Sequence, residues 1–128
     1  MKNIDVNFYS AGGVEDYYIL VPCRGVVKAM NILCNAVLVA TGTITALRGT
    51  TAVNTATAPT GNTAAGTLLT GVPDTTNKDL IFDPDSSTVA NTKIKISLDT
   101  TVLGGVANLL VQIVYDEFAH VEQTPAEA

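Results

Sequence analysis

Tryptophan is absent from this 128-residue chain, histidine occurs once, cysteine twice, and seven basic residues stand against twelve acids. Each scarcity excludes something. A net charge of −5 argues against a nucleic-acid binder, which needs Lys and Arg to displace counterions along a phosphate backbone. Charged residues are 15% and hydrophobic ones 47%, the balance of a chain that folds rather than one that stays disordered. No apolar run approaches the ~18 residues that a membrane-spanning helix needs. In the opening Met1-Lys2-Asn3-Ile4-Asp5-Val6-Asn7-Phe8, Asp5 and Asn7 interrupt any apolar h-region. No secretory signal is therefore expected, and synthesis in a cytoplasm is. The length suits one domain, 1–128, which can bury roughly two-thirds of its unfolded surface without metals or disulfides.

Cys23 and Cys34, eleven residues apart, match no zinc spacing, since a closed site takes four ligands. Both lie in apolar runs, Leu-Val-Pro-Cys and Asn-Ile-Leu-Cys, where a free thiol behaves as a small buried hydrophobe. Reduced, structural thiols are expected rather than a disulfide.

What is present is period two. Ile4, Val6 and Phe8 alternate with Asp5 and Asn7, and Ile94, Ile96 and Leu98 alternate with Lys93, Lys95, Ser97 and Asp99. That is how an antiparallel strand with one solvated face reads. Tyr17-Tyr18-Ile19-Leu20-Val21 predicts a further strand, ended by Pro22. Gly25–Leu33 and Ala36–Leu47 predict two adjacent strands with Cys34-Asn35 near their turn. In the second, Leu38, Ala40, Ile44 and Ala46 share a face with Gly42, opposite Thr41, Thr43 and Thr45.

From residue 48 to 78 the chain turns small and polar, which predicts a long loop with short strands near Ala52-Val53 and Thr67–Leu69. Asp79–Asp83 reads as a short strand closed by the turn Pro84-Asp85-Ser86-Ser87. After Gly104-Gly105, Leu109, Val111, Ile113 and Tyr115 form one stripe against Asn108, Gln112 and Asp116. Leu110, Val114 and Phe118 also carry a helical spacing, but the β-branched and aromatic content favours a strand over Val106–Phe118. Residues 119–128 form a polar C-terminal tail. Eight or nine short strands without a helix predict an all-β antiparallel sandwich or barrel, with a jelly roll the commonest fit.

Chemistry is sparse. His120 sits in a polar stretch, and no Gly-x-Ser-x-Gly elbow presents a nucleophile. Asp83 and Asp85 have the spacing to share a calcium ion with Ser87, yet Pro84 suits a plain turn and no bidentate Glu follows. The turn is the stronger reading. Glu15-Asp16 pairs carboxylates as glycosidases do, but aromatics are 5%, too few for a sugar-lined cleft. Gly12-Gly13, Gly61 and Gly104-Gly105 lack phosphate-cradling spacings. No catalytic, cofactor-binding or metal residue is assigned, and no enzyme is expected.

The run Pro22-Cys23-Arg24-Gly25-Val26-Val27-Lys28-Ala29 to Ala46, the polar stretch Asn62-Thr63-Ala64-Ala65-Gly66-Thr67 and the strand Thr92 to Leu98 together resemble the decoration, or cement, proteins of tailed-bacteriophage capsids. The likeness is one of strand texture and composition, and it carries over no site residue. It implies a jelly roll or other small β fold, a dimer or trimer on the capsid exterior, and major capsid proteins as partners. Met1–Asn7, Thr50–Thr70 and His120–Ala128 are then the expected docking elements, and deleting the loop or tail should lower capsid stability. The competing expectation is a carbohydrate-binding fibre or tail module, with Tyr9, Tyr17 and Tyr18 as stacking surfaces and Asp83 and Asp85 holding calcium.

Overall fold

Strands with one apolar row bury it only by facing another sheet, and the alternations above do so here. The computed structural model describes residues 2–10, 14–35, 42–58, 64–99 and 107–117. They form β1 (Lys2–Ser10), β2 (Val14–Leu20), β3 (Gly25–Cys34), β4 (Gly42–Arg48), β5 (Thr51–Ala58), β6 (Leu68–Thr70), β7 (Val72–Pro73), β8 (Lys93–Asp99) and β9 (Ala107–Glu117). One sheet has the order β1-β9-β3-β6 and the other β2-β8-β4-β5-β7. Every pairing is antiparallel. The chain is an all-β sandwich.

Its core is one layer. Phe8, Met30, Ile32, Leu69, Leu109, Val111, Ile113 and Tyr115 come from the first sheet, and Ile19, Ile44, Ala46, Val53, Ala56, Ile94, Ile96 and Leu98 from the second. The stripe Leu109–Tyr115 on β9 is wholly buried, while Leu110 and Val114 are only half-buried. The strand period therefore decided that segment; Phe118 lies outside the described residues. Cys34 is buried, but Cys23 is half-buried, at the end of the sandwich rather than in its core.

Three local expectations are corrected. Gly25–Leu33 and Ala36–Leu47 are not neighbours, because β3 and β4 lie in opposite sheets. Each has a single inward row, Met30 and Ile32 against Ile44 and Ala46, and facing sheets bury both. Leu38, Ala40 and Thr41 lie outside the described residues.

The long loop over 48–78 is also corrected. Its first part is β5, eight residues paired with β4 from Arg48↔Thr51 to Gly42↔Ala58. Ala and Thr disguise the alternation: Val53 and Ala56 face the core while Thr55 is half-buried and Thr57 exposed. A register shift between Ala46 and Leu47 further blurs the period. The connecting turn is Gly49-Thr50, and Gly49 has φ +65°. Among described residues no non-glycine has positive φ, so the turn is of the II′ kind, which wants Gly first.

Asp79–Asp83 is not a strand beyond one bridge. Only Phe82 pairs, with Gly25, through Gly25 N–H to Phe82 O at 3.0 Å and Phe82 N–H to Gly25 O at 2.8 Å. The predicted turn Pro84-Asp85 follows directly and ends it. A single 3₁₀ turn, Val89–Thr92, leads into β8.

Candidate functional site

Asp83 is committed to local structure. Its Oδ1 accepts the Asp85 backbone N–H at 2.9 Å, its carbonyl accepts from Ser86 N at 3.1 Å, and its Oδ2 faces Arg24 Nε at 3.9 Å. That is an Asx turn with an ion pair. Asp85 is exposed, and no cluster of three His, Cys, Asp or Glu side chains able to hold a metal occurs among the described residues. Asp16 pairs with Lys95 Nζ at 3.6 Å, on the solvent side of β2. His120, Gly12-Gly13, Gly61, Gly104-Gly105 and the tail His120–Ala128 lie outside the described residues, as does the side chain of Glu15.

Cys23, Glu117, Lys2 and the buried Tyr115 phenol form one group beside Gly25, while Cys34 lies at the other end of β3. Tyr115 O–H donates to the Cys23 carbonyl at 2.6 Å, and Cys23 Sγ lies 3.8 Å from Glu117 Oε1. Lys2 Nζ meets the other oxygen of Glu117 at 3.4 Å. Burial pushes the Cys23 thiol up, and the Glu117 charge adds to this, outweighing the opposing pull of Lys2. Burial alone raises Cys34. Tyr115 is raised strongly, by burial first and then by Cys23, Asp83 and Glu117. All three groups hold their protons at neutral pH, so none is an activated nucleophile or base. The cluster fastens the end of the sandwich.

Of the three tyrosines expected to stack on sugars, Tyr17 is spent on packing. Its ring sits 4.7 Å from that of Phe8, bridging β2 to β1 across the sandwich. Tyr9's side chain lies outside the described residues. Tyr18 is exposed, with Lys93 Nζ 5.8 Å from its ring centroid, a cation–π distance. It borders an open depression of about 340 Å³, together with Gly49, Thr50, Val89, Lys93 and Lys95. A second, narrower cavity of about 180 Å³ lies by Arg48, Asp79, Asp83 and Asn91. There Arg48 Nη1 is used to hold the Ile81 carbonyl at 2.9 Å.

The surface shows what the chemistry does not. Among described residues the large hydrophobic side chains left exposed are Tyr18 (58%), Leu20 (79%), Leu68 (60%), Val72 (68%) and Val89 (67%). Tyr18 and Leu20 lie on β2, an outermost strand, with Val89 across the depression. Leu68 and Val72 lie on β6 and β7, the outermost strands at the opposite side. The outermost strands thus mix exposed apolar side chains with the charge and proline that free edges usually carry, Lys2, Asp5, Asp16 and Pro73.

Comparison with known proteins leaves the surface to speak for itself. No family model, curated protein or solved structure matches the chain.

Two of the expected docking elements contain regular structure. Residues 2–7 are no free arm, since they pair along β9 from Lys2↔Tyr115 to Asn7↔Leu110. Within Thr50–Thr70, β5 (Thr51–Ala58) and β6 (Leu68–Thr70) are strands, and residues 59–63 lie outside the described residues. Sequence reasoning missed Leu20, Leu68 and Val72, because an apolar residue in a short strand reads as core until its strand is known to be outermost, and Val89, which opens the 3₁₀ turn.

Proposed function

We propose that this chain is a structural virion protein, a decoration or cement protein. It binds the outside of a phage head and stabilises contacts between major capsid proteins. We read the fold as a jelly roll, supported by β1-β9-β3-β6 stacked on β2-β8-β4-β5, the order of two interleaved Greek keys. The observation that carries the function is the exposure of Tyr18, Leu20, Leu68 and Val72 on the outermost strands. A small domain with exposed apolar side chains on its outermost strands gains by meeting other chains, and a binder of the assembled shell stabilises it by mass action. Net charge −5 suits an outer position, away from packaged DNA. Partners are the major capsid protein and further copies of itself, as a dimer or trimer; nucleic acid and membrane are not among them. Its place is the capsid exterior, after synthesis in the host cytoplasm.

The test is density-gradient sedimentation of source material with mass spectrometry following this chain. Co-migration with a particle, in near-stoichiometric amounts relative to a shell protein, is expected. Recovery only at the top of the gradient would sink the reading.

One observation favours a second reading, a recognition module for carbohydrate. The exposed Tyr18 ring beside the 340 Å³ depression offers a stacking platform flanked by the Lys93 and Lys95 ammonium groups. A glycan array with wild type and Tyr18→Ala decides it: binding lost in the variant supports a sugar site, and no binding by either removes it.

A further inference from the structure

We propose that residues 68–74 form a strap that unlatches as a unit while the remaining strands stay folded, and that Asn54 beneath it keeps the latch weak. This goes beyond the virion reading and does not rest on it.

Regular alternation would turn Asn54 to solvent once Val53 faces the core. Ala46 pairs with Asn54 and Leu47 with Ala52, so Val53 is an extra residue, a bulge that turns both side chains inward. Asn54 is only 1% exposed, and neither its Nδ2 nor its Oδ1 finds a hydrogen-bond partner among the described residues. Gly71 lies directly against it, since a Cβ there would drive into Asn54 Oδ1.

Gly71 joins β6 to β7 and so carries the chain from one sheet to the other. The strap has few holds. β6 pairs with β3 over three residues, and β7 with β5 over two. Gly71 N–H donates to the Met30 carbonyl at 2.7 Å, and Asp74 N–H to the Val53 carbonyl at 2.9 Å. Of residues 68–74 only Leu69 and Gly71 are buried, so a single side chain anchors the strap in the core. β9, by contrast, is paired along both edges and buries Leu109, Val111, Ile113 and Tyr115.

A buried amide without partners disfavours the closed form and gains those partners from water once the strap lifts. A segment with one buried apolar side chain, and such a penalty beneath it, opens at less cost than global unfolding. What the strap guards is sheet edge. Without it the outermost strands on that side are β3 and β5, ten and eight residues long.

Amide hydrogen exchange on the isolated chain, under conditions where the rate follows the opening equilibrium, tests this. The Gly71 and Asp74 amides should exchange together, more than about tenfold faster than those of Val111 and Ile113. Asn54→Val, which removes both unpaired atoms, should slow the Gly71 and Asp74 amides about tenfold. The substitution can act on strap exchange in this way only if lifting the strap solvates position 54. Strap rates within about tenfold of the β9 rates would overturn the proposal. So would an Asn54→Val protein whose strap amides keep or exceed the wild-type rates. If the valine variant unfolds, Asn54→Leu, closer to the amide in shape, is read in the same way.

Discussion

The Tyr115 hydroxyl donates to the Cys23 carbonyl at 2.6 Å across 92 residues of sequence. It ties the end of β9, in the middle of one sheet, to the segment that carries the chain from β2 to β3. The Phe82 carbonyl stands at 3.4 Å from the same oxygen. Tyr115→Phe keeps the ring but leaves the Cys23 carbonyl without its donor. Urea unfolding should show a loss of about 1–2 kcal/mol, the cost of one buried hydrogen bond with its partner stranded. An unchanged midpoint would mean that water replaces the hydroxyl.

Cys23 and Tyr115 of this cluster, with Cys34 at the far end of β3, set an alkaline limit. Cys23, Cys34 and Tyr115 all have folded-state pKa values above their ordinary ones, chiefly through burial. For such groups the stabilisation is complete below the unfolded pKa and is lost as pH rises towards the folded one. Urea midpoints should therefore be insensitive to these groups up to about pH 8, then fall above the ordinary thiol value near 8.5 and further above about 10. Tyr115→Phe should flatten the upper part of that fall. Cys23 should alkylate slowly at pH 8 and faster in Glu117→Gln, which removes a charge that opposes the thiolate.

Gly25 is where β3, β9 and the Phe82 bridge crowd together. A Cβ there would drive into the Asp116 carbonyl oxygen and the Tyr115 ring. Gly25→Ala should cost about 2 kcal/mol or more, as overpacking against backbone does. Gly66, at φ +89°, has open space around its Cβ position. Gly66→Ala should lose only about 1 kcal/mol, through backbone strain. Paired thermal melts of the two variants separate crowding from dihedral strain; equal shifts would contradict the close approach at Gly25.

Residues 51–58 offer a direct contrast of strand against loop. Ala56 is fully buried, while its neighbour Thr57 is exposed. Ala56→Asp should prevent cooperative folding, because an unpaired carboxylate in the core costs several kcal/mol. Thr57→Asp should change stability by less than about 0.5 kcal/mol, the usual range for a surface site. A folded, stable Ala56→Asp protein would restore the loop reading. Deletions in this stretch remove a central hairpin, so only the tail is suited to a truncation test of capsid binding.

The all-β class, the antiparallel pairing and most of the core could be read from alternation alone. Ile94-Lys95-Ile96 and Leu109 to Tyr115 place large apolar and polar groups on opposite faces with no ambiguity, and burial follows directly from that. β5 could not be read this way. Its inward residues Val53 and Ala56 are small or separated by a bulge, and its outward ones are Thr, so the contrast that makes a period visible is missing.

Tertiary structure decided the rest, because neighbourhood is not a local property. Whether β3 and β4 pair or face each other depends on which arrangement buries both rows. Cys23 looks as apolar in context as Cys34, yet it lies at the rim beside Glu117, since Pro22 follows the end of β2. Tyr17 and Tyr18 are adjacent in sequence, and pleating sends one against Phe8 and the other to solvent. Leu20 and Val72 carry the same hydrophobicity as the core residues around them. Only the strand order makes them edge residues, and that order is set by long-range pairing between segments that no sequence window contains together.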